Sequence, residues 1–172
     1  MSQLVYNIDT TIAVEGNLAD TGMRVDVISR VALAPLPCAR LLVIDTTASL
    51  EDRGVQLPTT DFTGLGTVEG ILIWDGGKVK DPVTGFNYEA GDELPVLRSG
   101  RVWVLAENAS PRGGQAFARF TSGGGGSVLG RIRSNADTGS AAAIPSARFT
   151  TTTTGTDELV IVEINLPTTS AV

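Results

Sequence analysis

The side chains of this chain that could do chemistry are nineteen carboxylates, one cysteine, two tyrosines and thirteen Lys or Arg, with no histidine among them. Without histidine, every Ser-His-Asp and Cys-His arrangement is excluded, and so is a histidine-ligated metal. Any catalysis would have to run through carboxylates, Lys or Tyr. The carboxylates crowd at 81–93, DPVTGFNYEAGDE, where Asp81, Glu89, Asp92 and Glu93 fall close together. Such a group could bind Ca²⁺ or supply the two acids of a glycosidase. The alternating oxygen ligands and closing Glu of a calcium loop are missing, so solvated turns account for these acids better. A glycosidase using Glu89 or Glu93 ranks last, because no carboxylate is set apart by its context. Trp74, Phe86, Tyr88 and Trp103 could stack on sugar rings. With only 5% aromatics in the chain, they are more simply core or interface residues. Cys38 sits among apolar neighbours in LAPLPCARLLV and reads as a buried, inert thiol; no internal disulfide is possible.

The stretch 122–131, SGGGGSVLGR, resembles both a flexible linker and a phosphate-binding loop. Gly125 and Gly130 have the spacing of the phosphate loop, but Arg131 and Ile132 stand where Lys and Ser/Thr are required. The short remainder after residue 126 is too small for an unstapled second domain. A wide hairpin loop between two strands, RFT before it and SVLGRIR after it, is the economical reading.

The elements that would position these residues are strands. The chain has 172 residues, 42% hydrophobic and 19% charged, with 20 Gly and 8 Pro as punctuation. Its net charge of −6, with no basic stripe, argues against nucleic acid and against an anionic membrane surface. No apolar run is long enough to span a bilayer, and the N-terminus lacks the pattern of a signal peptide. MRVDVISRV at 23–31 alternates, with Val25 and Val27 on one face. RLLVID at 40–45 reads as a strand covered on both sides, and VEGILIW at 68–74 as a strand ending in a turn at Asp75-Gly76-Gly77. ELPVLRSGRVWVLAE at 93–107 is either one strand bent at Ser99-Gly100 or two. QAFARFT, SVLGRIRS and ELVIVEINL alternate, the last placing Val160, Val162, Ile164 and Leu166 inward. Helix signals are confined to 49–54 and 137–144, the second stopped by Pro145. The five threonines at 150–154 read as a surface segment in which nothing is buried. The expected fold is all-β: a single-domain β-barrel or jelly-roll-like sandwich of about ten short strands with few or no helices.

GDELPVLRSGRVWV at 91–104 carries a further signal. So do MSQLVYNIDTTIAVEGNLAD at the start, GRIRSNADTGSAAAIPSARF at 130–149 and ELVIVEINL near the end. In this order they resemble the structural cement proteins of tailed bacteriophages, from about residue 3 to 166. The resemblance implies a β-rich body that decorates the capsid exterior, is made in the host cytoplasm, binds the major capsid protein and stabilises the head. It implies no catalysis, cofactor or metal. Segment 76–90 is longer than the resemblance leads one to expect. A homodimer or homotrimer fits a capsid symmetry axis. Residues 1–22 are a candidate N-terminal arm ahead of a single β domain at 23–172. In that arm Leu4, Val5, Tyr6 and Ile8 would add as a strand to a neighbour's sheet, or else LVYNI is the body's first strand. Arg98, Arg101 and Trp103 are further interaction candidates, the two arginines either tying a turn to Asp92 and Glu93 or reaching capsid carboxylates. The alternative function is a carbohydrate-binding β-sandwich of a virion tail or fibre.

Overall fold

The computed structural model describes residues 13–19, 24–45, 54–63, 67–74, 87–123 and 128–167. The strands are β1 (Asp26–Ala32), β2 (Leu36–Pro37), β3 (Leu41–Ile44), β4 (Gly54–Gln56), β5 (Val68–Leu72) and β6 (Asn87–Tyr88), followed by β7 (Glu93–Ala106), β8 (Gln115–Arg119), β9 (Ile132–Arg133), β10 (Ala141–Phe149) and β11 (Glu158–Asn165). Among the described residues the only helical element is a 3-10 turn at Asp137–Gly139. The all-β, barrel-like expectation holds.

Nine strands make one sheet in the order β1-β4-β3-β5-β7-β11-β10-β8-β9, and two additional pairings, β1 with β7 and β7 with β9, close it. Two rings result, and β7 belongs to both. Its first half pairs with β1 from Glu93 to Ser99 and with β5 at Val96 and Leu97. Its second half pairs with β11 from Ser99 to Ala106 and meets β9 at Ala106. Strands β2 and β6 form a separate two-stranded sheet. Ring closure pairs backbone groups that an open sheet would leave along its edges.

The period of two along β7 carries through both rings. Leu94 and Val96 lie in one core with Leu36, Leu42, Leu72 and Tyr88. Val102, Val104 and Ala106 lie in the other with Phe149, Val160, Val162 and Ile164. Each large side chain buried this way contributes about 1.5–3 kcal/mol. β3 is buried on both faces as expected, with Leu41 and Val43 in one core and Leu42 in the other. The inward set Val160, Val162, Ile164 and Leu166 is likewise buried.

Two glycines let the rings share a strand. Gly70 on β5 has φ +150°, and a Cβ there would lie 2.3 Å from the Leu97 carbonyl oxygen of β7. Gly100 has φ +139° at the middle of β7. Ser99-Gly100 thus bends one long strand instead of dividing it in two.

Several expectations are corrected. Val27 is 41% exposed although Val25 packs on the core; the β1–β7 register shifts between Asp26 and Val27, whose partners are Ser99 and Leu97, so that the extra residue, Arg98, lies on β7 and the two faces of β1 change their surroundings there. Residues 141–144 are strand, since pairing of Ala141, Ala142 and Ala143 with Arg119, Ala118 and Phe117 of β8 overrides alanine's helix preference. Pro145 sits in the register break that follows, where no ladder donor is needed. The strand expected over 127–134 shortens to β9, and Val128 is 38% exposed. β8 and β9 do pair as the two arms of a hairpin around the glycine-rich segment, whose residues 124–127 lie outside the described residues. Thr153 is buried at 5%, and the threonine run is stitched to the body: the Ser110 N–H donates to Thr153 Oγ1 (3.1 Å) and the Ile161 N–H to Thr151 Oγ1 (2.9 Å). The turn at 75–77 lies outside the described residues, as do 49–53 of the possible helix at 49–54, whose last residue, Gly54, begins β4.

Candidate functional site

Charge is the unusual component of this interior, and it gathers at two places. The first is the junction of the rings. Alternation along β7 would make position 98 apolar, yet it is Arg98, 7% exposed. Its partner is Glu69 on β5, 1% exposed. Arg98 Nη1 donates to Glu69 Oε1 at 2.7 Å, and Arg30 Nη2 of β1 reaches the same oxygen at 3.1 Å. Arg98 Nη2 also donates to the Pro167 carbonyl at 2.7 Å, and the Leu166 N–H donates to the Arg98 carbonyl at 2.9 Å. Strands β1, β5 and β7 and the chain after β11 are thereby tied at one point.

The second place is an end of the other ring, built from the SNADTG stretch. Glu107, just past β7, accepts from Arg119 Nε of β8 at 2.8 Å and from Arg133 Nη1 of β9 at 2.9 Å. Asp137, in the 3-10 turn, accepts from Arg119 Nη2 and pairs with Arg133 Nη1 at 2.8 Å. Asn135 Oδ1 accepts from Arg133 Nη2 at 2.9 Å and from the Asp137 N–H at 3.2 Å. The turn takes positive φ at Asp137 (45°) and Thr138 (52°), which brings the Asp137 carboxylate onto the two guanidinium groups. The Arg119 hydrogen bond, with Arg133 nearby, holds the Asp137 carboxyl below the usual carboxylate range. Desolvation works against the charge of Arg119, but its bonds to Glu107 and Asp137 outweigh it and raise its pKa. These charges are spent on one another, and the arrangement ties strand ends together.

The sequence-predicted residues fall as follows. Arg98 binds Glu69 of β5, and Arg101 Nε donates to Glu163 Oε2 of β11 at 2.8 Å. Bonds from Arg101 and then Arg148 lower the pKa of Glu163. Trp103 is half-buried on β7, opposite Ile161. Leu4, Val5, Tyr6 and Ile8 lie outside the described residues. Of the arm, residues 13–19 are described and run along the second half of β7. The Gly16 N–H donates to the Trp103 carbonyl (2.8 Å), the Trp103 N–H to the Asn17 carbonyl (2.9 Å) and the Ala19 N–H to the Arg101 carbonyl (2.9 Å). Glu15 pairs with Arg40 at 2.6 Å.

No sugar platform assembles from the described aromatics. Tyr88 is wholly buried, its hydroxyl donating to the Ile73 carbonyl at 3.2 Å, and Trp74 packs on the core around it. Glu89 and Asp92 face each other across a turn, where the Glu89 N–H donates to Asp92 Oδ2 at 2.8 Å. Cys38 is buried, 3% exposed. Among the described residues no cluster of acids or Cys is arranged to hold a metal. Glu69 and the Glu107 network were not anticipated, although charged residues inside apolar alternation (Glu69 in VEGILIW, Arg133 in GRIRS) were the available signal.

A family model described as structural cement protein (E217 gp24/Pam3 gp6) matches residues 1–165. No curated protein matches the sequence. A chain of the capsid of Myoviridae phage XM1 has the same fold, with a TM-score of 0.67 at 15% identity over 92% of this chain and 95% of that one. The head fiber gp8.5 N base of bacteriophage phi29 has a TM-score of 0.45 at 12% identity, over 83% of this chain and 95% of that one.

Proposed function

The chain belongs to the structural cement protein family of bacteriophages, and we propose that it binds the outer surface of the assembled head, on the major capsid protein, and stabilises the shell there. The observation that carries this reading is the family match over residues 1–165, nearly the whole length. The fold it has in common with a phage capsid chain accompanies that match. A protein that binds the assembled lattice and not its dissociated subunits stabilises the lattice by mass action. Repetition over one shell multiplies modest contacts through avidity.

In this reading the protein is a virion component without catalytic activity. The absence of histidine supports that, as does the commitment of Glu69, Glu107 and Glu163 to ion pairs. It acts as a homodimer or homotrimer. Residues 1–12 are the part of the arm that reaches a neighbour, with Leu4, Val5, Tyr6 and Ile8 adding a strand to its sheet. Arg101 and Trp103, part-exposed on β7, are a further contact with the shell or another copy.

The test is to image shells assembled without the protein before and after adding it. Regular density on the shell exterior and a raised disassembly temperature are expected. Bare shells at saturating protein would sink the proposal. The same assay on protein lacking residues 1–12 should show weakened decoration with unchanged β circular dichroism.

A further inference from the structure

Large apolar side chains are seldom exposed on this body: among the described residues only Val27, Leu33 and Val128 reach that state, at 41%, 39% and 38%. Two of the three lie on β1 or just past it. Val27, Ser29 and Val31 follow one another on one face of β1 at the strand period, and Leu33 stands in the bend after the strand, against Gly54 of β4. The partners of this row on β7 are Leu97, Pro95 and Glu93, opposite Val27, Ser29 and Val31. A shallow groove runs here, lined by Val27, Ile28, Ser29, Glu93, Leu94 and Pro95.

The rim of the groove is acidic. Glu93 accepts a hydrogen bond from the Ser29 hydroxyl. Glu89 is exposed on the turn that precedes β7, and that turn is pinned to the end of β1 by Gly91 N–H to the Ala32 carbonyl (2.8 Å) and Ala32 N–H to the Asp92 carbonyl (2.9 Å). Three acids elsewhere, Glu69, Glu107 and Glu163, each face two arginines. Glu89 and Glu93 make no ion pair among the described residues. Among the described residues, this apolar row therefore lies beside two exposed carboxylates with no arginine against them.

We propose that the outer face of β1 and the start of β7 is the surface that docks onto the capsid protein, against a patch combining apolar side chains with Lys or Arg. This rests on the function proposed above. The apolar row supplies the contact that excludes water, and Glu89 and Glu93 at its end select a basic rim and speed the encounter. The charge complementarity favours the capsid protein over a second copy of this chain, since a second copy would bring like charge to the same rim.

The experiment measures binding of the full chain to shells assembled without it, in four forms: wild type, V27D/L33D, E89K/E93K and V128D. All five substitutions fall on exposed positions, and circular dichroism and thermal melting check the fold of each variant. Binding about 30-fold weaker for V27D/L33D is expected. E89K/E93K should bind more weakly and lose part of its salt dependence, and V128D should bind as wild type. Wild-type binding with V27D/L33D unimpaired would overturn the inference and leave the proposed function standing. So would a V27D/L33D protein that sediments as a smaller oligomer than wild type, because the face would then join copies of this chain. If wild type itself left the shells bare, the proposed function would fall, and the docking face with it.

Discussion

At the scale of single residues, the protein uses charge as a fastener. Glu107 holds Arg119 and Arg133, whose side chains are 5% and 8% exposed, so its removal leaves two buried cations with only the part-exposed Asp137 carboxylate between them. Glu107→Ala should cost about 3–5 kcal/mol, read as a fall in the urea midpoint at unchanged slope. An Arg119→Lys exchange should not be conservative, because one ammonium cannot serve Glu107 and Asp137 with the fork that the guanidinium provides. The pH dependence follows from carboxyls held below their ordinary value: Asp61 through its bonds to Thr63, and Asp137 and Glu163 through arginines. Arg119 lowers Asp137, and Arg101 followed by Arg148 lowers Glu163, so all three bind protons more readily unfolded than folded. Their contribution is complete above the unfolded carboxylate value and is lost as pH falls through the folded one. Stability should therefore be level from neutrality to about pH 5 and decline below about pH 4. Urea midpoints measured from pH 7 to pH 3 check this; a midpoint that rose on acidification would contradict it.

At the scale of elements, the antiparallel pairing of β5 with β7 depends on Gly70. An alanine there meets the Leu97 carbonyl oxygen at 2.3 Å with φ at +150°. Strain and overpacking together should cost about 3 kcal/mol or more, which lowers the melting temperature by about 10 °C in a chain of this size. Alanine at Gly113, where φ is +81° and a Cβ meets nothing within 4 Å, should cost less. Elements were legible in the sequence where alternation was clean. In β11, Val160, Val162, Ile164 and Leu166 are all buried as their spacing requires. Periodicity failed at Val27, where an extra residue on the partner strand, Arg98 of β7, shifts the register and leaves no mark in the composition around Val27. It failed again at Ala141–Ala143, where β8 supplies the pairing that decides between helix and strand. The charged interior was half legible. Arg98 and Arg101 stood out by type, but their partners Glu69 and Glu163 lie 29 and 62 residues away in sequence, beyond any local pattern.

At the scale of the molecule, the two cores share strand β7 and also lie on the two faces of β3 and β5. Val96 faces one core and Val104 the other, eight residues apart on the same backbone. Unfolding either core frees half of β7 and exposes the partner strands of the other, so the two should melt together. Calorimetry should give a single peak whose calorimetric and van't Hoff enthalpies agree; two resolved peaks would show that the rings are independent. The shared strand also makes the body a ruler. Rotation about a linker cannot alter the separation between a point on one ring and a point on the other; changing it means breaking sheet hydrogen bonds. Dyes placed at Val27, on the first ring, and at Thr138, at the far end of the second, would report one distance and a narrow spread.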